Sequence, residues 1–451
     1  MAGAEYNRVR LKKLLTAVGV VVALAALALG VGSIRWRPSQ RAAPPRLQKV
    51  ARGGGVLLAG AATVPLDPPG PVPVAGFPRL HWMEEGRRDP VAVRALVLQE
   101  PGCTVALASL EILLVPGRLQ RAIERKVRDL GLDAVVVAAT HTHAGPGGYW
   151  DDALGERLAT GPYRDDVFEH IVDRTAQAIR QAMRSVRPVY LSVARGEVGA
   201  LARNRGSGDV DGRLVAARLI ALEGNPVAEL VLYPSHATLL GIENRLVSGD
   251  WPGALMRARP EPVLFFQGAL GDQSPRMPPH VAPNPEVYAR ALRARIEGLS
   301  YSRPDPWPEL ALAQATAVLP PPVPGATPPP LRRLAMNLFY DWVPARARVT
   351  ALRLGPVTLI AVPAEPVAAV GRRWREAAGD GAEVLALADD YLGYVETSER
   401  MAEAAGETVR TYYGPELADR LAGAVDLAAK AVEAPQPAPP RTAAAASAHQ
   451  P

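Results

Sequence analysis

Ala134 to Ala139 (AVVVAA) runs directly into Thr140-His141-Thr142-His143-Ala144-Gly145-Pro146-Gly147-Gly148. The run is short, rich in β-branched residues and closed by a turn segment, which is the pattern of a buried strand. The two histidines therefore stand where a strand ends and a Gly/Pro-rich loop begins, an edge at which α/β proteins bind ligands. Imidazole is the commonest neutral metal ligand, and glycine lets backbone approach a bound group closely. Taken alone, the same residues also describe a turn whose histidines cap backbone groups.

The pattern around this strand sets the fold class. Val91 to Leu98 and Val105 to Val115 read as strands about the turn Glu100-Pro101-Gly102, and Arg118 to Leu130 has helical periodicity. Asp165 to Val186 reads as a helix and Pro188 to Ala194 as a strand. Leu214 to Glu223 and Val227 to Tyr233 form a hairpin about Gly224-Asn225-Pro226. Pro262 to Gln267 is a buried strand, Pro285 to Leu299 a helix, and Leu319 to Pro330 a Pro-rich loop. Strands at Val349 to Leu354, Val357 to Val362 and Val384 to Leu387 alternate with helices at Val367 to Ala378 and Pro415 to Val432. Alternation broken by hairpins predicts an α/β fold, a mixed β-sheet core flanked by helices.

Leu14 to Ile34 is an almost unbroken apolar run of about 20 residues, the length of a membrane-spanning helix, preceded by Arg8, Arg10, Lys12 and Lys13. It predicts a transmembrane anchor or signal segment over 14–34, with residues 1–13 cytoplasmic and the remainder extracytoplasmic, or secreted if the segment is cleaved. A linker over 35–55, a hydrolase domain over 56–432 and a disordered Ala/Pro-rich tail over 433–451 complete the expected organisation. The formal charge of +6 comes mostly from arginines scattered among acids. With no basic stripe and no zinc-finger, helix-turn-helix or RNP-type motif, nucleic acid is excluded as a partner. The single cysteine, Cys103, excludes an intrachain disulfide and a thiolate metal cluster.

Three further polar residues repeat the placement of His141. His236 ends Tyr233-Pro234-Ser235-His236 after the apolar run Ala228 to Tyr233, and Glu365 follows Val357 to Val362 and the turn Pro363-Ala364. Pro366 biases Glu365 away from helix, leaving its carboxylate on extended backbone. Tyr394 follows the strand Val384 to Leu387 and the turn Asp389-Asp390. Four candidate ligands after four apolar strands would gather at one sheet edge. Asn204-Arg205, in a polar loop, offers a cationic fork for a carbonyl or oxyanion. Ser274 lies in the Gly-rich loop Gly268 to Pro275, which is not a G-x-S-x-G elbow. A Walker A sequence and a strand-linked G-x-G-x-x-G are both missing, which argues against nucleotide chemistry.

With these blocks in order, the chain resembles the catalytic, N-terminal domain of the neutral/alkaline non-lysosomal ceramidases. The matching elements run from Gly60 to about Leu417. They include Asp89-Pro90, Thr140-His141-Thr142-His143-x-Gly145-Pro146-Gly147, Asn204-Arg205, Ser235-His236 and Leu246-Val247-Ser248-Gly249-Asp250. Gly271-Asp272-Gln273-Ser274-Pro275, Glu365 before Gly371-Arg372-Arg373, and Tyr391-Leu392-Gly393-Tyr394 complete the series. The resemblance implies one catalytic Zn²⁺ held by His141, His236, Glu365 and Tyr394. It further implies that His143 and Arg205 line the reacting amide and that Ser274 contacts the polar head of a lipid-like N-acyl substrate. Two imidazoles, a carboxylate and a phenolate suit zinc and leave room for water. The resemblance thus implies a zinc-dependent amidohydrolase of sphingolipid metabolism, cleaving ceramide to sphingoid base and fatty acid. Hydrolysis of another envelope amide or ester, and a non-catalytic envelope-binding protein on the same scaffold, are the alternatives. Glu396, just beyond Tyr394, is expected to add a carboxylate near the metal.

Overall fold

Val93, Ala95 and Val97 point to one side of their strand, Leu96 and Leu98 to the other, and all are buried. Such a strand has to be covered on both faces. A computed structural model, which describes residues 16–26, 43–68, 70–78, 82–152, 155–325, 327–328, 331 and 343–433, shows how. The strands are β1 (Arg46–Arg52), β2 (Leu58–Pro65), β3 (Ala92–Glu100), β4 (Cys103–Leu110), β5 (Ala134–Ala139), β6 (Arg187–Glu197) and β7 (Arg213–Ala221). They continue with β8 (Pro226–Tyr233), β9 (Val263–Gln267), β10 (Leu310–Val318), β11 (Arg346–Leu354), β12 (Val357–Ala361) and β13 (Ala382–Leu385). The longer helices are α1 (Gly117–Lys126), α2 (Asp165–Arg184), α3 (Asp250–Arg257), α4 (Pro285–Glu297), α5 (Ala368–Ala378) and α6 (Leu417–Glu433).

An eight-stranded sheet, ordered β9-β8-β7-β6-β2-β3-β4-β5, stacks on a five-stranded sheet, ordered β1-β10-β11-β12-β13. Leu96, Leu107, Val136, Leu230 and Leu264 of the first meet Leu312, Leu352 and Leu359 of the second in one apolar layer. Ile171 and Ile179 of α2 cover the outer face at Val93 and Val97. Trp251 of α3 and Leu292 of α4 cover it at Val231 and Phe265. Trp374 of α5 and Leu421 of α6 close the outer face of the five-stranded sheet. The expected α/β class with a sheet core flanked by helices holds, with two stacked sheets in place of one. At about 25 cal/mol per Å² of apolar surface removed from water, these layers supply the main drive for folding.

Two expectations change. Arg46–Arg52, within the linker read over 35–55, is β1 and pairs with β10 from Arg46↔Thr316 to Arg52↔Ala311. Its alternation is masked by charged residues on an exposed edge (RLQKVAR), which is how edge strands avoid mispairing. The membrane anchor is not supported, and the extracytoplasmic, membrane-anchored location and the membrane as a partner fall with it. Among the described residues no helix is long and apolar enough to cross a membrane. Within the run, the described residues 16–26 are helical. The rest of the 14–34 reading, residues 1–13 and the tail beyond Glu433 lie outside the described residues.

Candidate metal centre and active site

Three sheet edges meet at one place. β2 and β6 share only two register pairs, Leu58↔Pro188 and Ala59↔Arg187, so the eight-stranded sheet bends there and its outer strands β9 and β5 approach. Ser109 Oγ donates to Phe265 O at 2.6 Å and Gln267 Nε2 to Thr140 O at 2.9 Å across that gap. The chain leaving β13 fills it: Ala386 N donates to Gln267 O (2.8 Å), Ala139 N to Leu387 O (3.3 Å) and Asp389 N to Val137 O (2.9 Å). Leu387 and Asp389 accept left-handed backbone, φ 58° and 68°, to do so. The loops after β5, β8, β12 and β13 consequently open onto a common point.

His141, His236, Glu365 and Tyr394 converge on that point. His141 takes φ 65°, a strained conformation for a non-glycine residue. Its Nδ1 donates to Leu113 O at 2.8 Å, and His236 Nδ1 donates to Gln273 O at 2.8 Å. Both imidazoles thereby carry their proton on Nδ1 and present bare Nε2 lone pairs inward. Glu365 Oε2 lies 3.3 Å from His141 Nε2 and 3.2 Å from His236 Nε2, and Tyr394 Oη lies 3.0 Å from His236 Nε2. Glu365 and Tyr394 are adjacent because Glu365–Pro366 and Tyr394–Val395 pair as two short parallel strands. Every one of these side chains is buried.

Lone pairs facing a carboxylate in a dry site repel one another unless a cation lies between them. Glu365 Oε2 has no hydrogen-bond partner. A carboxylate in this position carries negative charge that needs matching. Burial pushes His236 down to about 4, so that imidazole does not supply the charge at neutral pH. Ligands about 2.0–2.1 Å from a tetrahedral zinc stand about 3.3 Å apart, and the three contacts above, at 3.0–3.3 Å, fit that spacing. The donor set matches a zinc ion.

His143 crowds the same point, with its Nε2 3.2 Å from His141 Nε2. The histidines 141, 143 and 236 offer ring nitrogens within 4.8 Å of one another and by themselves form a group able to hold a metal. One difference separates them. A ligating histidine nearly always donates its second ring nitrogen to a carbonyl or carboxylate, as His141 and His236 do. His143 Nδ1 is buried without a partner. Burial, then His141 and His236, keep this ring well below the ordinary imidazole range, hence neutral. Its backbone N donates to Ala237 O at 3.1 Å, and Phe77 packs on its ring at 4.8 Å between centroids.

Arg205 stands beside Tyr394. Its Nη2 lies 3.3 Å from Tyr394 Oη and 3.1 Å from Glu407 Oε1, and it also donates to Gly271 O. Asp272 accepts at both oxygens, from Asn204 Nδ2 (2.6 Å) and from Ala368 N (2.9 Å), and its carbonyl takes Arg205 N at 2.8 Å. Ser274 sits on Gln273–Pro275, paired with Ala202–Asn204, one residue beyond the carbonyl that fixes His236. The structure thus brings its strand to the site while leaving its hydroxyl outside the hydrogen-bonded group. Glu396 does not approach the metal point: its oxygens accept Thr397 N (2.8 Å) and Glu407 N (2.9 Å), which shapes the loop carrying Glu407. Sequence reasoning missed Glu407, whose loop has no strand before it, and gave no role to Tyr391, which donates to Glu365 Oε1 at 2.7 Å. Burial and then Glu365 push that phenol far up, so it keeps its proton.

Comparison with known proteins points to one family and one fold. Residues 67–258 match the family model "Neutral/alkaline non-lysosomal ceramidase, N-terminal". That span carries His141, His143, Arg205 and His236, while Ser274, Glu365 and Tyr394 lie beyond it. Neutral ceramidase A of Dictyostelium discoideum is 32% identical over 136 residues, 27% of this chain and 19% of that protein. The neutral ceramidase of Mycobacterium tuberculosis is 29% identical over 154 residues, 32% and 22% of the two chains. The chain thus matches about a fifth of the length of these curated relatives. The crystal structure of neutral ceramidase from Pseudomonas aeruginosa superposes with a TM-score of 0.71 at 18% identity, covering 84% of this chain and 74% of that one, which establishes a shared fold. Over residues 67–258 the chain is therefore similar in sequence to the neutral/alkaline non-lysosomal ceramidases, and over most of its length it shares their fold.

Proposed function

We propose that the chain is a zinc-dependent amidohydrolase that cleaves the amide of an N-acylated lipid, ceramide being the substrate that the family points to. One observation carries the reading: two Nε2 lone pairs, a carboxylate oxygen and a phenol oxygen meet in a buried site at the spacing of a tetrahedral ligand set. His141, His236, Glu365 and Tyr394 would hold the ion. Zinc bound there supplies Lewis-acid polarisation of a carbonyl and a water acidified toward ~7. The hydrolase unit is proposed to extend over the two stacked sheets and their helices, taking in β1.

The remaining roles belong to the chain itself. His143, neutral and held through its backbone, Phe77 and the neighbouring His141 ring, would take a proton from the attacking water and return it to the leaving amine. Arg205, with its guanidinium beside Tyr394 Oη, presents fixed positive charge to the oxygen on which negative charge develops. Ser274 is assigned to the polar head of the substrate, on the strength of its position beside His236. The burial of the centre excludes bulk water and strengthens each of these interactions.

Purified protein is incubated with ceramide, with and without a chelator, and fatty acid release is followed. Release that stops with chelator and returns with zinc supports the assignment. A protein that retains no stoichiometric zinc, together with hydrolysis unchanged by His141→Ala and His236→Ala, would exclude it.

A further inference from the structure

Tyr391 enters none of the roles above, yet it makes the shortest hydrogen bond to Glu365. Its hydroxyl donates to Oε1 at 2.7 Å, while Oε2 is the oxygen turned toward His141 and His236. The two oxygens of one carboxylate are thus given different tasks. Backbone bonds fix the loop that carries the phenol, and two aromatic rings pack against it. Tyr391 N donates to Asp390 Oδ1 (2.8 Å), Leu392 N to Pro363 O (2.8 Å) and Glu365 N to Gly393 O (3.0 Å). Trp150 and Tyr412 pack edge-on against the ring, with centroids at 5.7 and 6.1 Å. Gly393, at φ 76°, turns the chain between Tyr391 and Tyr394, so one short loop reaches both sides of the Glu365–His236 pair.

We infer that Tyr391 is a positioning residue: it holds Glu365 Oε1 and so keeps Oε2 as the oxygen turned toward the group that would bind the metal. The inference rests on the metal-site reading above. Hydrogen-bonded partners behind a ligand set its orientation, and their loss typically weakens metal binding 10–100-fold.

The test is zinc competition between a chromophoric chelator and apo-protein, for wild type, Tyr391→Phe, Glu365→Ala and the double variant. Tyr391→Phe should bind zinc about 10-fold more weakly than wild type, with an unchanged apo melting temperature. In the Glu365→Ala background the same substitution should change nothing further, because the hydroxyl acts through that carboxylate. Wild type binding zinc with Tyr391→Phe within twofold of it overturns the inference while leaving the metal site standing. So does an equal loss in both backgrounds, which marks a general structural effect. A wild-type protein that takes up no zinc overturns the metal reading and this inference together.

Discussion

Gly76→Ala tests the geometry of His143 without altering a single polar atom of the centre. Gly76 has φ 115°, and a Cβ built there would lie 2.4 Å from His143 Cα and 2.6 Å from both its Cβ and its carbonyl oxygen. Ordinary contact begins at 3.4 Å, so the two segments must part by about 1 Å. Two of these atoms are backbone and the third is the Cβ, which no χ rotation moves, and Gly76 N is bonded to Ala159 O at 2.7 Å, so no side-chain rotation relieves the overlap. The disallowed φ adds ~1–3 kcal/mol of strain. A 1 Å displacement of a proton-transferring group costs about 100-fold in turnover. His141 is anchored separately, through Leu113 O and Ile112 O, so the metal set is expected to survive. Turnover of a fluorescent N-acyl sphingosine should therefore fall about 100-fold while zinc per chain, read by elemental analysis, stays at the wild-type value. Turnover within threefold of wild type would refute the placement of His143 at the reacting bond. Parallel loss of zinc would refute its separation from the ligands.

Other substitutions probe the remaining links. His143→Ala should keep its zinc and lose ~10²–10⁴-fold in turnover, whereas His236→Ala should lose the metal itself; zinc loss in both would show that the three histidines form the ligand set. Arg94 and Glu111, both buried and paired beneath the loop at Gly249, form an ion pair remote from solvent. Arg94→Met should cost ~3–5 kcal/mol in urea unfolding, and Arg94→Met with Glu111→Leu should recover most of it. Burial raises the Asp389 carboxyl to about 6, against the pull of Arg348 and Val137 N. A carboxyl raised in the folded state holds its proton longer there, so wild-type stability falls as pH rises from about 4 to about 6. Asp389→Asn removes that loss and should gain up to ~3 kcal/mol over wild type at pH 7.5 but little at pH 4.5; an equal difference at both pH values would reject it.

The elements most legible in the sequence were those with one strong period. AVVVAA became β5, the hairpin about Gly224 became β7 and β8, and Asp165–Arg184 became α2 within two residues of expectation. Leu58–Pro65 (LAGAATVP) and Leu310–Val318 (LALAQATAV) were not read as strands, because alanine carries little strand preference and the decision falls to tertiary packing. The latter joins β1 to β11 in the five-stranded sheet, so the division into two sheets stayed hidden. At the site, strand-end position identified His141, His236, Glu365 and Tyr394 as a group. It did not identify Tyr391 or Glu407, whose partners lie 26 and 202 residues away in sequence.

Strand-end position worked as a clue for a topological reason. Three pairs of neighbouring strands in the two sheets are parallel: β4 with β5, β8 with β9, and β12 with β13. Parallel neighbours deliver their carboxyl ends, and the loops that follow, to the same side. His141 follows β5, His236 follows β8, Ser274 follows β9, Glu365 follows β12, and Tyr391 and Tyr394 follow β13. Acidic residues that end or follow antiparallel strands go elsewhere. Glu197 closes β6 and pairs with Arg213, and Glu223, beyond β7, pairs with Arg187. The antiparallel strands therefore build the frame, and the parallel pairs at its edges carry the chemistry. The bend at the two-pair joint of β2 and β6 is what brings those edges together. A substitution that flattened this joint would separate His141 from His236 without touching either one.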